Sequence, residues 1–166
     1  MGEVIRDYAE LTNRLNWHRS HGERIVSTNG VFDVLHVGHV RYLQQARKLG
    51  DRLVVAINSD ASTSRLKGPN RPFVCEDERA ELLAALACVD YVTIFEESTP
   101  EAILELIRPS IHTKGGDYDV EAMPETRIVR AHGGQVVTLQ FTQGRSTTEL
   151  TTRILESSGT PVSDTR

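Results

Sequence analysis

Cysteine, surplus positive charge and long apolar runs are all scarce in this 166-residue chain. Its two cysteines, Cys75 and Cys88, stand apart with no CxxC spacing, which argues against a disulfide framework and against a zinc knuckle. The longest unbroken apolar run covers residues 82–89, far short of the roughly 20 residues that span a bilayer. Residues 1–10 combine neither a basic start nor a hydrophobic run, so they do not read as a signal peptide, and a cytoplasmic protein without membrane contact is expected. Lysine and arginine number 19 against 23 acidic residues, a net charge of −4. That balance removes the broad basic footprint of a nucleic-acid binder and leaves small anions open as partners. Neither GxGxxG nor GxxxxGK occurs, so both the dinucleotide fingerprint and the Walker P-loop are missing.

The chain has 39% apolar residues and no internal repeat, enough for one core in one folded unit. Tyr8, Leu11, Leu15, Trp17 and His18 recur at helical spacing before Gly22, which predicts an amphipathic helix in an N-terminal segment, 1–22. From Arg24 onward, strands and helices alternate. Strands are expected at 24–28, 52–58, 91–95, 110–113 and 135–139, and helices at 40–49, 76–88, 100–107, around 121–131 and from about 146. A turn-rich loop containing Arg65, Lys67 and Arg71 is expected between strand 52–58 and helix 76–88, and a disordered tail at 157–166. The alternation predicts an α/β fold, a single Rossmann-like open sheet of about five parallel strands with helices on both faces. Sheets of this kind bind ligands at the carboxyl ends of their strands.

Three strand-to-helix loops contain the unusual residues. The first reads TNGVFDVLHVGH and ends in His36 and His39 at the start of a helix. Residues three apart share a helix face, Gly38 removes a side chain between them, and the helix start offers free N–H groups. The pair therefore reads as a phosphate site whose imidazoles become cationic near neutral pH. Two histidines without a third ligand do not mark zinc, and no metal site built from the protein's own side chains is expected. The second loop, Lys114-Gly115-Gly116-Asp117-Tyr118, is either a glycine turn capped by Asp117 or a close approach to a planar ligand. In the third, Ser146 and Glu149 form a capping box, and the hydroxyls of Ser146, Thr147 and Thr148 make a second anion site. Lys67 and Arg71 lie where a cationic loop closes over a polyphosphate, and Arg79 on the next helix faces either inward or to solvent.

In this order and spacing TNGVFDVLHVGH, RLKGPNRP, KGGDY and GRSTTEL resemble the HxGH nucleotidyltransferase superfamily of cytidylyltransferase-like enzymes. Within it the chain is most similar to D-glycero-β-D-manno-heptose 1-phosphate adenylyltransferases, over residues 22–154. Glycerol-phosphate and ethanolamine-phosphate cytidylyltransferases carry an arginine where Phe141 stands and MGDDW where this chain has KGGDY, and both differences point to adenine. Val74-Cys75 and Arg145 depart from the heptose pattern.

The resemblance implies a nucleotidyltransferase domain at 23–156. It implies transfer of the adenylyl group of ATP to a sugar 1-phosphate, giving ADP-heptose and pyrophosphate, with Mg²⁺ held mainly by the nucleotide phosphates. His36, His39 and Lys67 become catalytic. Thr28, Asn29, Gly30, Phe32, Gly38, Lys114, Gly115, Ser146, Thr147 and Thr148 bind the nucleotide, and Asp33, Arg71, Arg79, Asp117 and Arg145 the sugar phosphate. A homodimer is the habit of the superfamily. The alternatives are a cytidylyltransferase for glycerol 3-phosphate or a related alcohol phosphate, and an inactive nucleotide-binding module.

Overall fold

A computed structural model describes residues 1–140 and 147–157, with side chains from 150 onward in the last segment except Leu155. Six parallel strands form one sheet in the order β1-β4-β3-β2-β5-β6. They are β1 (Glu3–Val4), β2 (Ile25–Gly30), β3 (Arg52–Asn58), β4 (Tyr91–Phe95), β5 (Ile111–Gly115) and β6 (Gln135–Leu139). The helices are α1 (Tyr8–Ser20), α2 (Val37–Arg47), α3 (Asp60–Lys67), α4 (Glu76–Ala84), α5 (Glu101–Ile107), α6 (Pro124–Ala131) and α7 (Thr147–Ser157). The α/β architecture expected from the alternation is the one observed.

Burial on both faces explains the unbroken apolar run of β3. Leu53, Val55 and Ile57 pack with Val26, Leu43 and Ala46 of the α2 side and with Ala80 and Leu83 of α4. Val54 and Ala56 point the other way, into a second cluster with Leu11 and Leu15 of α1 and Ile103 and Ile107 of α5. Successive strand residues thus feed opposite layers, and neither face meets water.

The segment 1–22 is built into this same sheet. Glu3 pairs with Tyr91 and Val4 with Val92, and Gly2 and Ile5 donate to Ala84 O and Val92 O, both at 2.8 Å. This two-residue edge strand escaped the sequence reading because it is too short for any periodicity. On α1, Leu11, Leu15 and His18 are buried while Trp17 is 55% exposed, so the apolar stripe is narrower than the spacing suggested. Residues 60–67 form a helix where a loop was expected, capped by the Ser59 hydroxyl, which accepts from Ser62 N at 3.1 Å. Polar residues dominate it, so no hydrophobic period announces it. The expected tail, apart from Ser157, lies outside the described residues.

Strand order reverses at β2, which pairs with β3 on one side and β5 on the other. The crevice between the carboxyl ends of β2 and β5 is the point at which such a sheet receives ligands.

Leu15 has no exposed surface. Its replacement by Ala should lower stability by about 2–5 kcal/mol, the scale of a buried leucine deletion, as a reduced midpoint in urea unfolding with an unchanged slope.

Candidate active site

A string of hydroxyls stitches the switch point together. Tyr42 of α2 donates its OH to Thr113 Oγ1 of β5 at 3.1 Å and lies 2.7 Å from Thr28 Oγ1 of β2, while Thr113 donates to Ser27 O at 3.2 Å. Thr28 and Thr113 are buried and hold α2 against both central strands rather than facing the cavity.

The chain leaves β2 through Phe32, whose φ of 50° lies in the left-handed region rarely adopted by bulky residues. That twist folds the ring back over Gly30, where an added Cβ would come 3.2 Å from Phe32 Cε2. It also brings the ring centroid within 5.1 Å of the His39 imidazole. His36 occupies the N-cap position of α2 in an extended conformation, and its carbonyl accepts from His39 N at 2.9 Å. One helical turn therefore stacks the two imidazoles, 3.8 Å between centroids and 20° between planes. Gly38 is buried between them.

Both Nδ1 atoms are buried with no hydrogen-bond partner among the described residues. Burial pulls His39 down to about 4, with the adjoining His36 adding to the effect, and burial also lowers His36. The free site therefore holds two neutral imidazoles at pH 7, not the cationic pair expected from the spacing. A polyanion beside them would raise both values.

A cavity of about 470 Å³ opens in front of His39, between residues 29–33, which end β2 and begin the β2–α2 connection, and Lys114 and Gly115 at the end of β5 with Tyr118 beyond them. Asn58, at the end of β3, and the two cations Lys67 and Arg71 complete its wall. A narrower recess of about 140 Å³ continues past Gly30, Phe32 and Lys114 to Tyr42. Lys67 stands exposed in the last turn of α3. Arg65 turns away, donating to Glu96 O and Ser98 Oγ.

Two expected sugar-phosphate ligands are internal struts instead. Asp33, 7% exposed, accepts from Phe73 N at 2.6 Å, Val74 N at 3.1 Å and the Arg71 guanidinium. Its charge pins the 71–74 loop to the β2–α2 connection, leaving Arg71 half-buried over the Phe73 ring at 4.0 Å. Arg79, 1% exposed, donates to Val74 O at 2.9 Å, Val31 O at 2.6 Å and Asp60 Oδ1 at 2.7 Å. Each of the three guanidinium nitrogens is thus engaged, as burial of the ion requires, and Arg79 lies off the cavity wall. Asp117 is exposed and lies off the cavity wall. Arg145 and Ser146 fall outside the described residues, as do the side chains of Thr147 and Thr148 at the start of α7.

Asn58, Tyr118, Tyr42 and Glu125 were not singled out as site residues. Asn58 had a signal, since it ends a strand on the ligand-binding edge. Tyr118 stood in the KGGDY loop itself. Glu125 had none: it reaches Lys114 from the start of α6 only because the chain folds back.

Residues 27–153 match the model of the cytidylyltransferase-like family. The bifunctional protein HldE of Syntrophotalea carbinolica is 51% identical over 154 residues, covering 93% of this chain and 30% of that protein. HldE of Hahella chejuensis is 56% identical over 145 residues, 87% of this chain and 30% of its own. The chain thus spans about 30% of the length of these curated relatives. The crystal structure of the lipopolysaccharide core biosynthesis protein from Thermoplasma volcanium GSS1 superposes with a TM-score of 0.61 at 32% identity, covering 75% of this chain and 100% of that one.

Since His39 titrates near 4 in the fold and near 6.5 when unfolded, its contribution to stability declines as pH falls from about 6.5 toward 4. Imidazole NMR should follow that titration directly, and saturating tripolyphosphate should move it upward; an unmoved midpoint would separate the pair from anion binding. Arg79→Met should cost on the order of 3 kcal/mol through its orphaned carbonyls, read as a lower thermal midpoint.

Proposed function

The chain belongs to the cytidylyltransferase-like family, and on that premise we propose that it is an adenylyltransferase. It joins ATP to a sugar 1-phosphate, D-glycero-β-D-manno-heptose 1-phosphate, and releases ADP-heptose and pyrophosphate. The observation that carries this reading is the stacked His36–His39 pair. Its buried Nδ1 atoms lack protein partners among the described residues, and it sits at the edge of a cavity walled by Lys67, Arg71 and Lys114.

An oxygen of the sugar phosphate attacks the α-phosphorus of ATP, and the bond from that phosphorus to the α–β bridging oxygen breaks. Phosphate is nucleophilic as it stands, so the protein's task is positioning and charge stabilisation. His36 and His39 donate to the α- and β-phosphate oxygens as charge moves onto the departing pyrophosphate. Lys67 neutralises that leaving group. Asn29, Gly30, Phe32, Lys114 and Gly115 enclose the nucleotide, and Arg71 on the cavity wall serves the sugar phosphate. The hydroxyls of Ser146, Thr147 and Thr148 and the charge of Arg145 enter on the resemblance.

Asp33, the one carboxylate on the cavity wall among the described residues, already has its oxygens engaged by Arg71 and two amides. Mg²⁺ would therefore be held mainly by the nucleotide phosphates rather than by Asp33, and would supply charge neutralisation there. A cytoplasmic location follows from the use of ATP, and no described helix is long and apolar enough to cross a membrane. A homodimer, the habit of the superfamily, belongs to the same proposal.

Pyrophosphate release should be fastest with ATP and heptose 1-phosphate among the four nucleotides and a panel of sugar and alcohol phosphates. Turnover with CTP and glycerol 3-phosphate alone would replace this reading by the cytidylyltransferase one, and no turnover with any pair would favour a binding module. His39→Ala should lower kcat about 10²- to 10³-fold, the scale of one lost transition-state donor.

A further inference from the structure

Lys114 reaches the cleft already engaged. Its ammonium lies 2.7 Å from Glu125 Oε1 and 3.3 Å from Asn29 Oδ1. Lys114 and Asn29 line both the cavity and the recess, whereas Glu125 lines neither. Glu125 follows Pro124 in the first turn of α6, with its side chain 7% exposed. Burial alone would push this carboxyl up. The Lys114 hydrogen bond, the residue's own amide at the helix start and the charge of Lys114 outweigh burial, and the carboxyl stays below its usual range.

An ammonium has three N–H donors. With two directed at Glu125 and Asn29, one remains for a ligand, and its direction is set by the other two. Oδ1 of Asn29 is turned to Lys114, so the amide nitrogen is the edge that Asn29 offers elsewhere. The carboxylate also cancels most of the long-range pull of Lys114 on a polyanion. Lys67, exposed at the end of α3, has no such ion pair among the described residues.

We propose that Glu125 is a positioning residue for the nucleoside half of the nucleotide: it aims Lys114, and through it Asn29, as directed hydrogen-bond donors rather than as a free charge. The inference rests on the nucleotidyltransferase reading and deepens it by dividing the cleft's cations into two tasks. Lys67 serves the polyphosphate by charge, and Lys114 serves the nucleoside by direction.

Calorimetric titration with ATP and with inorganic tripolyphosphate tests this on the whole chain as wild type, Glu125→Gln, Lys114→Met and the double variant. Glu125→Gln should bind ATP about tenfold more weakly, the scale of one charged hydrogen bond, while tripolyphosphate affinity holds within about twofold or rises as Lys114 loses its counter-charge. The double variant leaves no unpaired buried ion, so it keeps the fold even where a single change loosens α6, and it should bind ATP as Lys114→Met does. Unchanged ATP affinity in Glu125→Gln would overturn the proposal. So would equal weakening toward both ligands, which is the mark of general damage, or a double variant whose loss is the product of the two single losses. Wild-type protein that fails to bind ATP removes the nucleotide reading and this inference together; wild-type binding with an unaffected Glu125→Gln removes only the role of Glu125.

Discussion

Strand β2 is hydrogen-bonded to β3 on one side and β5 on the other, all running in the same direction, and the rest of the molecule is arranged around that double pairing. Because strand order reverses at β2, the connections leaving β2 and β5 diverge, and a crevice opens between their carboxyl ends. Asn29, Gly30, Lys114 and Gly115 stand at those ends and become cavity wall for that reason. The two apolar clusters hold the central strands from both faces, which keeps the crevice edge rigid enough to present the histidine pair at one geometry.

A cleft cut into a parallel sheet needs its loops tied down, and charges that look like ligands from the sequence perform that tying. Arg79 joins the β2–α2 connection, the 71–74 loop and the start of α3 through three hydrogen bonds in a site with almost no water contact. Asp33 joins the first two of those segments again from the other side. Buried ions are stable only when their polar atoms are all engaged. The same engagement occupies both groups within the protein: Arg79 lies off the cavity wall, and Asp33 stands on it with both oxygens already bonded. Among the described residues the cations on the cavity wall are Lys67, Arg71, paired with Asp33, and Lys114, paired with Glu125, beside neutral imidazoles. A net charge of −4 over the whole surface is compatible with that local positive site.

Much of this was legible along the chain. The strand β3 announced itself because both of its faces are buried, which leaves a continuous apolar run. The HxGH segment could be placed at a helix start because glycine and histidine types there have little other reason to cluster. Elements without periodicity were not legible: β1 has two residues, and α3 consists largely of polar side chains held by a cap and by its neighbours. Trp17 was misjudged for a related reason, since helical spacing gives a stripe but not its width, and only the packing of α5 and β2 against α1 decides where the stripe ends.

By itself the sequence determined the α/β alternation, the edge of the sheet at which ligands are received, and the residue types gathered there. These are local properties, set by periodicities of two and 3.6 residues and by the chemistry of short loops. Tertiary structure alone decided which charged residues face the ligand and which are consumed within the protein. Arg79 and Lys114 are both basic residues in recognisable segments, yet one is enclosed by carbonyls and a carboxylate and the other lines the cavity while hydrogen-bonded to Glu125, eleven positions further along the chain. The partners of an ion come from segments distant in sequence, and its burial sets whether it stays charged. Neither quantity is encoded within reach of a local pattern.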